Sequence, residues 1–155
     1  MKRTSCAAAA FLSLALTASA EEAKYEYVFD TSGAPELAEW TTTNLAPVVR
    51  EWYPKLVEMF PSEGWKPYGK VTFGYKESIG SPAYTSRADV TIDRKWITDN
   101  PGNIGCAVHE LFHVVQGGYH RAPGWLTEGI ADYVRWYLFE PGAHGCDMDV
   151  KLGKH

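Results

Sequence analysis

Between Ala34 and Phe60 apolar residues return at helical spacing: Leu37, Trp40, Leu45, Val48, Val49, Trp52, Leu56, Val57 and Phe60 form one wide stripe. Pro47 and Pro54 are expected to kink this helix or split it in two, and Pro61 ends it. On either side the period drops to two. Tyr25 to Phe29, bounded by Asp30, Ser32 and Gly33, reads as a short strand. Lys70 to Lys76 alternates Val71, Phe73 and Tyr75 with Thr72 and Lys76, the pattern of a strand with one buried face. Tyr84 to Ile92 alternates more weakly and is predicted as a single strand. An exposed strand edge there could hydrogen-bond an extended peptide; an ordinary edge with no ligand fits the pattern equally well.

Two amphipathic helices follow. In the first, Ile104 to Gln116, the residues Ile104, Val108, Leu111, Phe112 and Val115 fall on one face, and His109, His113 and Gln116 on a neighbouring one. Gly117-Gly118 reads as a helix stop that permits positive φ and lets the chain reverse. The second helix, Leu126 to Phe139, is expected to bury Leu126, Ile130, Tyr133, Val134 and Tyr137 and to present Glu128, Asp132 and Arg135 on the other side. The whole order predicts an α+β domain with a small, mixed or mostly antiparallel sheet packed on helices.

At 155 residues and 45% apolar, the chain suits one domain with a real core. Residues 1–20 are read as a signal peptide: Lys2 and Arg3 precede an apolar Ala7 to Leu16, and Ala18-Ser19-Ala20 suits cleavage. That leaves 21–155 as the mature domain, expected to be secreted, with no segment long enough to span a membrane. Removing Lys2 and Arg3 takes the formal charge from −4 to −6, the wrong sign for nucleic acid or an anionic membrane. Two cysteines remain, Cys106 and Cys146, a candidate disulfide in an oxidising compartment.

Candidate chemistry sits in His109-Glu110-Leu111-Phe112-His113. One helical turn separates the two histidines, so both imidazoles can reach one Zn²⁺ while Glu110 stands beside the metal's open position as general base. Chance alone produces such a match in about one sequence of this composition in a hundred; what adds weight is its place on an amphipathic helix of a chain with an export leader. The pattern predicts a zinc peptidase, in which zinc activates a water and Glu110 moves its proton.

Catalytic zinc takes three protein ligands. Glu128, fifteen residues beyond His113 at the start of the returning helix, is the leading candidate, and Asp132 one turn further on could accept a hydrogen bond from a ligand histidine. His120 is an alternative metal ligand, from a near match to the extended His-Glu-x-x-His-x-x-Gly-x-x-His pattern in which Gly117 and His120 are each displaced by one residue. Cys106, one turn before His109, is a further rival, better explained by the bridge to Cys146. Tyr119, His120, Arg135 and His144 are candidate oxyanion donors between which spacing does not choose.

The stretch His109 to Gln116, with Ala122-Pro123-Gly124 and Glu128-Gly129-Ile130-Ala131-Asp132-Tyr133-Val134-Arg135, resembles the plant basic secretory protein family, secreted zinc peptidases of plants, fungi and bacteria. The likeness is specific over Ile104 to Trp136 and looser back to Tyr25. It implies a zincin-type domain, zinc on His109 and His113, Glu110 as catalytic base, and endopeptidase action on proteins. The segment from Glu128 to Asp132 is also similar to the third-ligand helix of gluzincins, which implies ligation by Glu128 and support by Asp132. The acidic mature chain departs from the family's name, and relatives continue into further helices past the position of His155, where one wall of the cleft is expected.

An endopeptidase is expected because no Gly-x-Met-x-Asn segment is present to bind a free amine. Its partner is a protein or peptide substrate, and the chain is expected to be a monomer. A secreted defence or binding protein that keeps the zinc site without efficient turnover is the alternative. Purely structural zinc is a third reading, disfavoured because such sites are usually closed by four protein ligands.

Overall fold

The computed structural model describes residues 24–118 and 122–143. The proposed leader, and with it Tyr119, His120, His144 and Cys146, lie outside the described residues, so the disulfide and the His120 alternative do too.

Strand β1, Glu26–Asp30, matches its prediction to within a residue. The long apolar stripe that follows stays helical throughout instead of breaking at its prolines. A single 3₁₀ turn, Pro35–Leu37, leads through Ala38–Trp40 and a π turn, Thr41–Leu45, into α1, Ala46–Met59. The side chains explain the widened turn. Thr41, Thr42 and Thr43 each donate a hydroxyl hydrogen bond to the carbonyl four residues back, at 2.7, 2.9 and 2.8 Å, and such back-bonding loosens the ladder. Pro47 then falls in the first turn of α1, where a missing N–H costs least, and Pro54 is carried inside the helix.

β2, Lys70–Lys76, buries Val71, Phe73 and Tyr75 as its alternation predicts. The single strand expected over Tyr84 to Ile92 is instead a hairpin of β3, Ala83–Ser86, and β4, Asp89–Asp93. Ser86 pairs with Asp89 across a two-residue turn in which Arg87 takes φ 58°. Positive φ at the first turn position suits the right-handed twist of paired strands; Arg87 carries no signal for it in sequence. The sheet is mixed, in the order β1-β2-β4-β3. β1 and β4 both pair parallel to β2, and β3 is antiparallel to β4 at the edge.

A helix absent from the sequence reading, α2 at Arg94–Asp99, follows β4 and is capped by the Asp93 side chain, which accepts from the Trp96 N–H at 2.8 Å. Next come α3, Gly105–Val115, closing in a 3₁₀ turn Gln116–Gly118, and α4, Gly124–Tyr133, which runs on into a π turn Val134–Phe139. The fold is α+β, with sheet residues Val71, Phe73, Val90 and Ile92 buried in one cluster with Val49, Tyr53 and Leu56 of α1 and Val108, Leu111 and Phe112 of α3. Among the described residues no helix is long and apolar enough to cross a membrane.

The predicted inner face of α4 needs correction. Leu126, Tyr133 and Tyr137 are exposed, and the residues that turn inward and bury fully are Ala131 and Val134. Gly117 does not use positive φ either; an added Cβ there would lie 3.0 Å from Trp65 Nε1, so its value is the close approach of that ring.

Candidate metal centre

Helix α3 is held at its start and along its middle. At its start the Gly105 N–H donates to Glu140 Oε1 at 3.2 Å, so a carboxylate sits on the positive end of the helix. Glu140 is steadied in turn by Arg135, whose Nε donates to Glu140 Oε2 at 3.4 Å and whose Nη2 donates to Asn103 Oδ1 at 2.6 Å. The same guanidinium stacks 3.9 Å from the centroid of the Trp136 ring. Arg135 therefore ties the end of the α4 segment to the loop before α3. In its middle, Val108, Leu111 and Phe112 anchor α3 in the core, with Phe112 edge-on to Phe60 at 4.6 Å.

With that face buried, His109 and His113 project toward α4 with 16% and 19% of their side chains exposed. Their Nε2 atoms lie 3.1 Å apart, and Glu128 Oε2 stands 3.2 Å from one and 3.4 Å from the other. The outer nitrogens decide the tautomers. His109 Nδ1 is 3.0 Å from Asp132 Oδ1, a carboxylate that can only accept. His113 Nδ1 is 2.6 Å from Gln116 Oε1, and the amide orientation is independently set because Gln116 Nε2 donates to the Thr127 carbonyl at 2.9 Å. With one proton per ring, these partners place each N–H at Nδ1 and leave both Nε2 lone pairs directed at each other and at a carboxylate oxygen. In that tautomer three acceptor atoms converge.

The triangle also has the right size. For bonds of roughly 2.0–2.1 Å, adjacent ligands of a tetrahedral zinc lie about 3.3–3.4 Å apart, close to the observed edges. His109, His113 and Glu128 form a group that could hold a metal ion. Among the described residues Glu128 and Asp132 keep 60% and 57% of their side chains exposed, so the acidic side of the group reaches the surface.

Glu110 lies on the same cleft of about 430 Å³, which Pro82, Tyr84, His109, Glu128, Asp132 and Trp136 also line. Its Oε2 accepts a hydrogen bond from the Thr85 hydroxyl of β3 at 2.8 Å. Cys106 borders the cleft but is turned away from the triangle. Its buried thiol donates to the Asn103 carbonyl at 3.0 Å, and burial pushes its pKa up to about 11, so at neutral pH it is a protonated thiol and a poor ligand.

Two residues of this site escaped the sequence reading. Gln116 was visible on the histidine face of the helical wheel, but its bond to Thr127 depends on how α4 returns. Thr85 becomes conspicuous only once the hairpin turns it inward, opposite buried Val90. No family model, curated protein or solved structure matches the chain.

Proposed function

We propose that the chain is an exported zinc-dependent peptidase of zincin type, an endopeptidase acting on proteins or peptides. His109, His113 and Glu128 are the zinc ligands and Glu110 is the general base. The observation that carries this reading is the convergence of three potential acceptors, two imidazole Nε2 atoms and a carboxylate oxygen, on a cleft that Glu110 also lines. A proton can serve one pair of those acceptors, whereas a metal ion serves all three. Three protein ligands with an open side are the arrangement of catalytic rather than structural zinc.

When bound, zinc supplies Lewis acidity, making a water nucleophilic near neutral pH and polarising a carbonyl. Glu110 takes the proton of the attacking water and delivers it to the leaving amine. Asp132 and Gln116 hold the ring protons on Nδ1, which keeps both Nε2 lone pairs directed inward. Among the described residues β3 is the edge strand of the sheet, beside Glu110. An extended peptide added along that edge would bring its backbone carbonyls past the base.

The test is hydrolysis of a denatured protein by the chain covering 21–155. Activity is expected to vanish with chelator, return with zinc, and be lost in Glu110→Gln at unchanged zinc content. Chelator-insensitive cleavage, or full activity in Glu110→Gln, contradicts the reading. The engagement of Arg135 with Asn103, Glu140 and Trp136 favours a second reading, a secreted defence or binding protein that holds zinc without efficient turnover, because it occupies the one oxyanion candidate among the described residues. Zinc binding with no hydrolysis of any unfolded substrate would select it.

A further inference from the structure

We infer that Thr85 is a positioning residue for Glu110, fixing the base in register with the edge strand; this rests on the reading of Glu110 as general base. Thr85 occupies a place where the pattern calls for an apolar side chain. On β3 the inward positions are Ala83 and Thr85, paired with Ile92 and Val90, both buried. A hydroxyl facing inward needs a partner, and α3 supplies one residue that meets it twice. The Thr85 Oγ1 lies 2.8 Å from Glu110 Oε2 and 2.9 Å from the Glu110 backbone carbonyl. One hydroxyl proton is shared between these two acceptors of the same residue.

The consequence for Glu110 is a fixed carboxylate. A glutamate on a helix has three rotatable bonds, and this one borders an open cleft with room to move. Thr85 has a stiff, β-branched χ1 on a strand already paired to β4, so its oxygen is a fixed point. Binding Oε2 there leaves Oε1 without that bond, as the oxygen to receive the proton. Because Thr85 belongs to the strand along which an extended substrate would pair, the same contact sets the distance between the base and the substrate backbone. A serine could make the bond with a looser rotamer; a valine keeps the shape and loses it.

Two measurements test this. In the zinc-loaded chain, Thr85→Val is expected to lower kcat by about tenfold or more, with KM and zinc content unchanged, and Thr85→Ser to recover most of the loss. In the metal-free chain, the Tm shifts of Thr85→Val and Glu110→Ala are expected not to add in the double variant, since each removes the bond between the hydroxyl and the Glu110 side chain. Wild-type kcat in Thr85→Val, or additive Tm shifts, overturns the inference while leaving the peptidase reading intact. A loss that Thr85→Ser does not recover, or that comes with lost zinc, overturns it in favour of a packing role. A zinc-loaded wild type without hydrolysis fails the peptidase reading, and the inference with it.

Discussion

Gln116 is buried and makes two hydrogen bonds with opposite ends of one amide, to the His113 ring and to the Thr127 carbonyl. Replacing it by leucine removes the partner of His113 Nδ1 and frees the ring to carry its proton on Nε2, where it would block a ligand. The expected result is zinc affinity weakened by about 10–100-fold with far-UV circular dichroism unchanged, measured by competition against a chromophoric chelator. Gly105 is under a different constraint. A Cβ there would lie 2.2 Å from Glu140 Oε2, so Gly105→Ala must displace the carboxylate that caps α3. A loss of about 1–2 kcal/mol is expected by denaturant unfolding, and little further loss when Glu140→Ala is added. The histidines and both acidic partners were legible in sequence because a helix puts residues i and i+4 on one face. Thr85 and Gln116 were not, because their meaning comes from residues 25 and 11 positions away.

At the scale of elements, the expectations that held are those in which one period dominates: β1, β2, α3 and the long stripe ending in α1. Those that failed turn on what packs against what. Helix α4 has apolar residues around much of its circumference, and small Ala131 permits a close approach, so the inward side is Ala131 and Val134 while Leu126 stays 37% exposed. Leu126→Ala is accordingly expected to change stability by no more than about 0.5 kcal/mol, against about 2–5 kcal/mol for fully buried Leu111→Ala; chemical denaturation of both variants checks the contrast.

Helix α2 adds a pH signature. The Trp96 amide holds the Asp93 carboxyl below its ordinary pKa, opposed by burial and supported by the Ile79 amide. A depressed folded pKa contributes stability that is present above the ordinary aspartate range and is lost as pH falls through the folded value. Asp93→Ala is therefore expected to lower stability by about 1 kcal/mol at neutral pH and to show a smaller drop than wild type on acidification below about pH 4, read from Tm against pH. An equal acid slope in the two proteins would place the stabilisation elsewhere.

For the whole molecule, composition and period suffice to predict an α+β fold, and the mixed sheet with its helices agrees. Strand order was beyond reach: β2 lies between β1 and β4 through non-local pairings, Glu26 with Lys70 and Thr72 with Asp89, and hydrophobic alternation specifies a buried face but no neighbour. The same non-local closure builds the candidate site, since α3 supplies two acceptors and the returning α4 the third. A metal bound there links the two helices. Zinc at a hundredfold excess over its Kd is expected to stabilise the folded chain by about 2.7 kcal/mol, seen as a Tm rise that chelator reverses.

His109, His113 and Glu128 are proposed to form one zinc centre, and zinc stoichiometry is the measurement on which that assignment stands or falls. Equilibrium dialysis of the folded chain followed by elemental analysis is expected to give one zinc per chain, and none in a His109→Ala/His113→Ala variant whose circular dichroism matches wild type. A folded wild-type chain that takes up no zinc, or a double variant that retains it, would contradict the account.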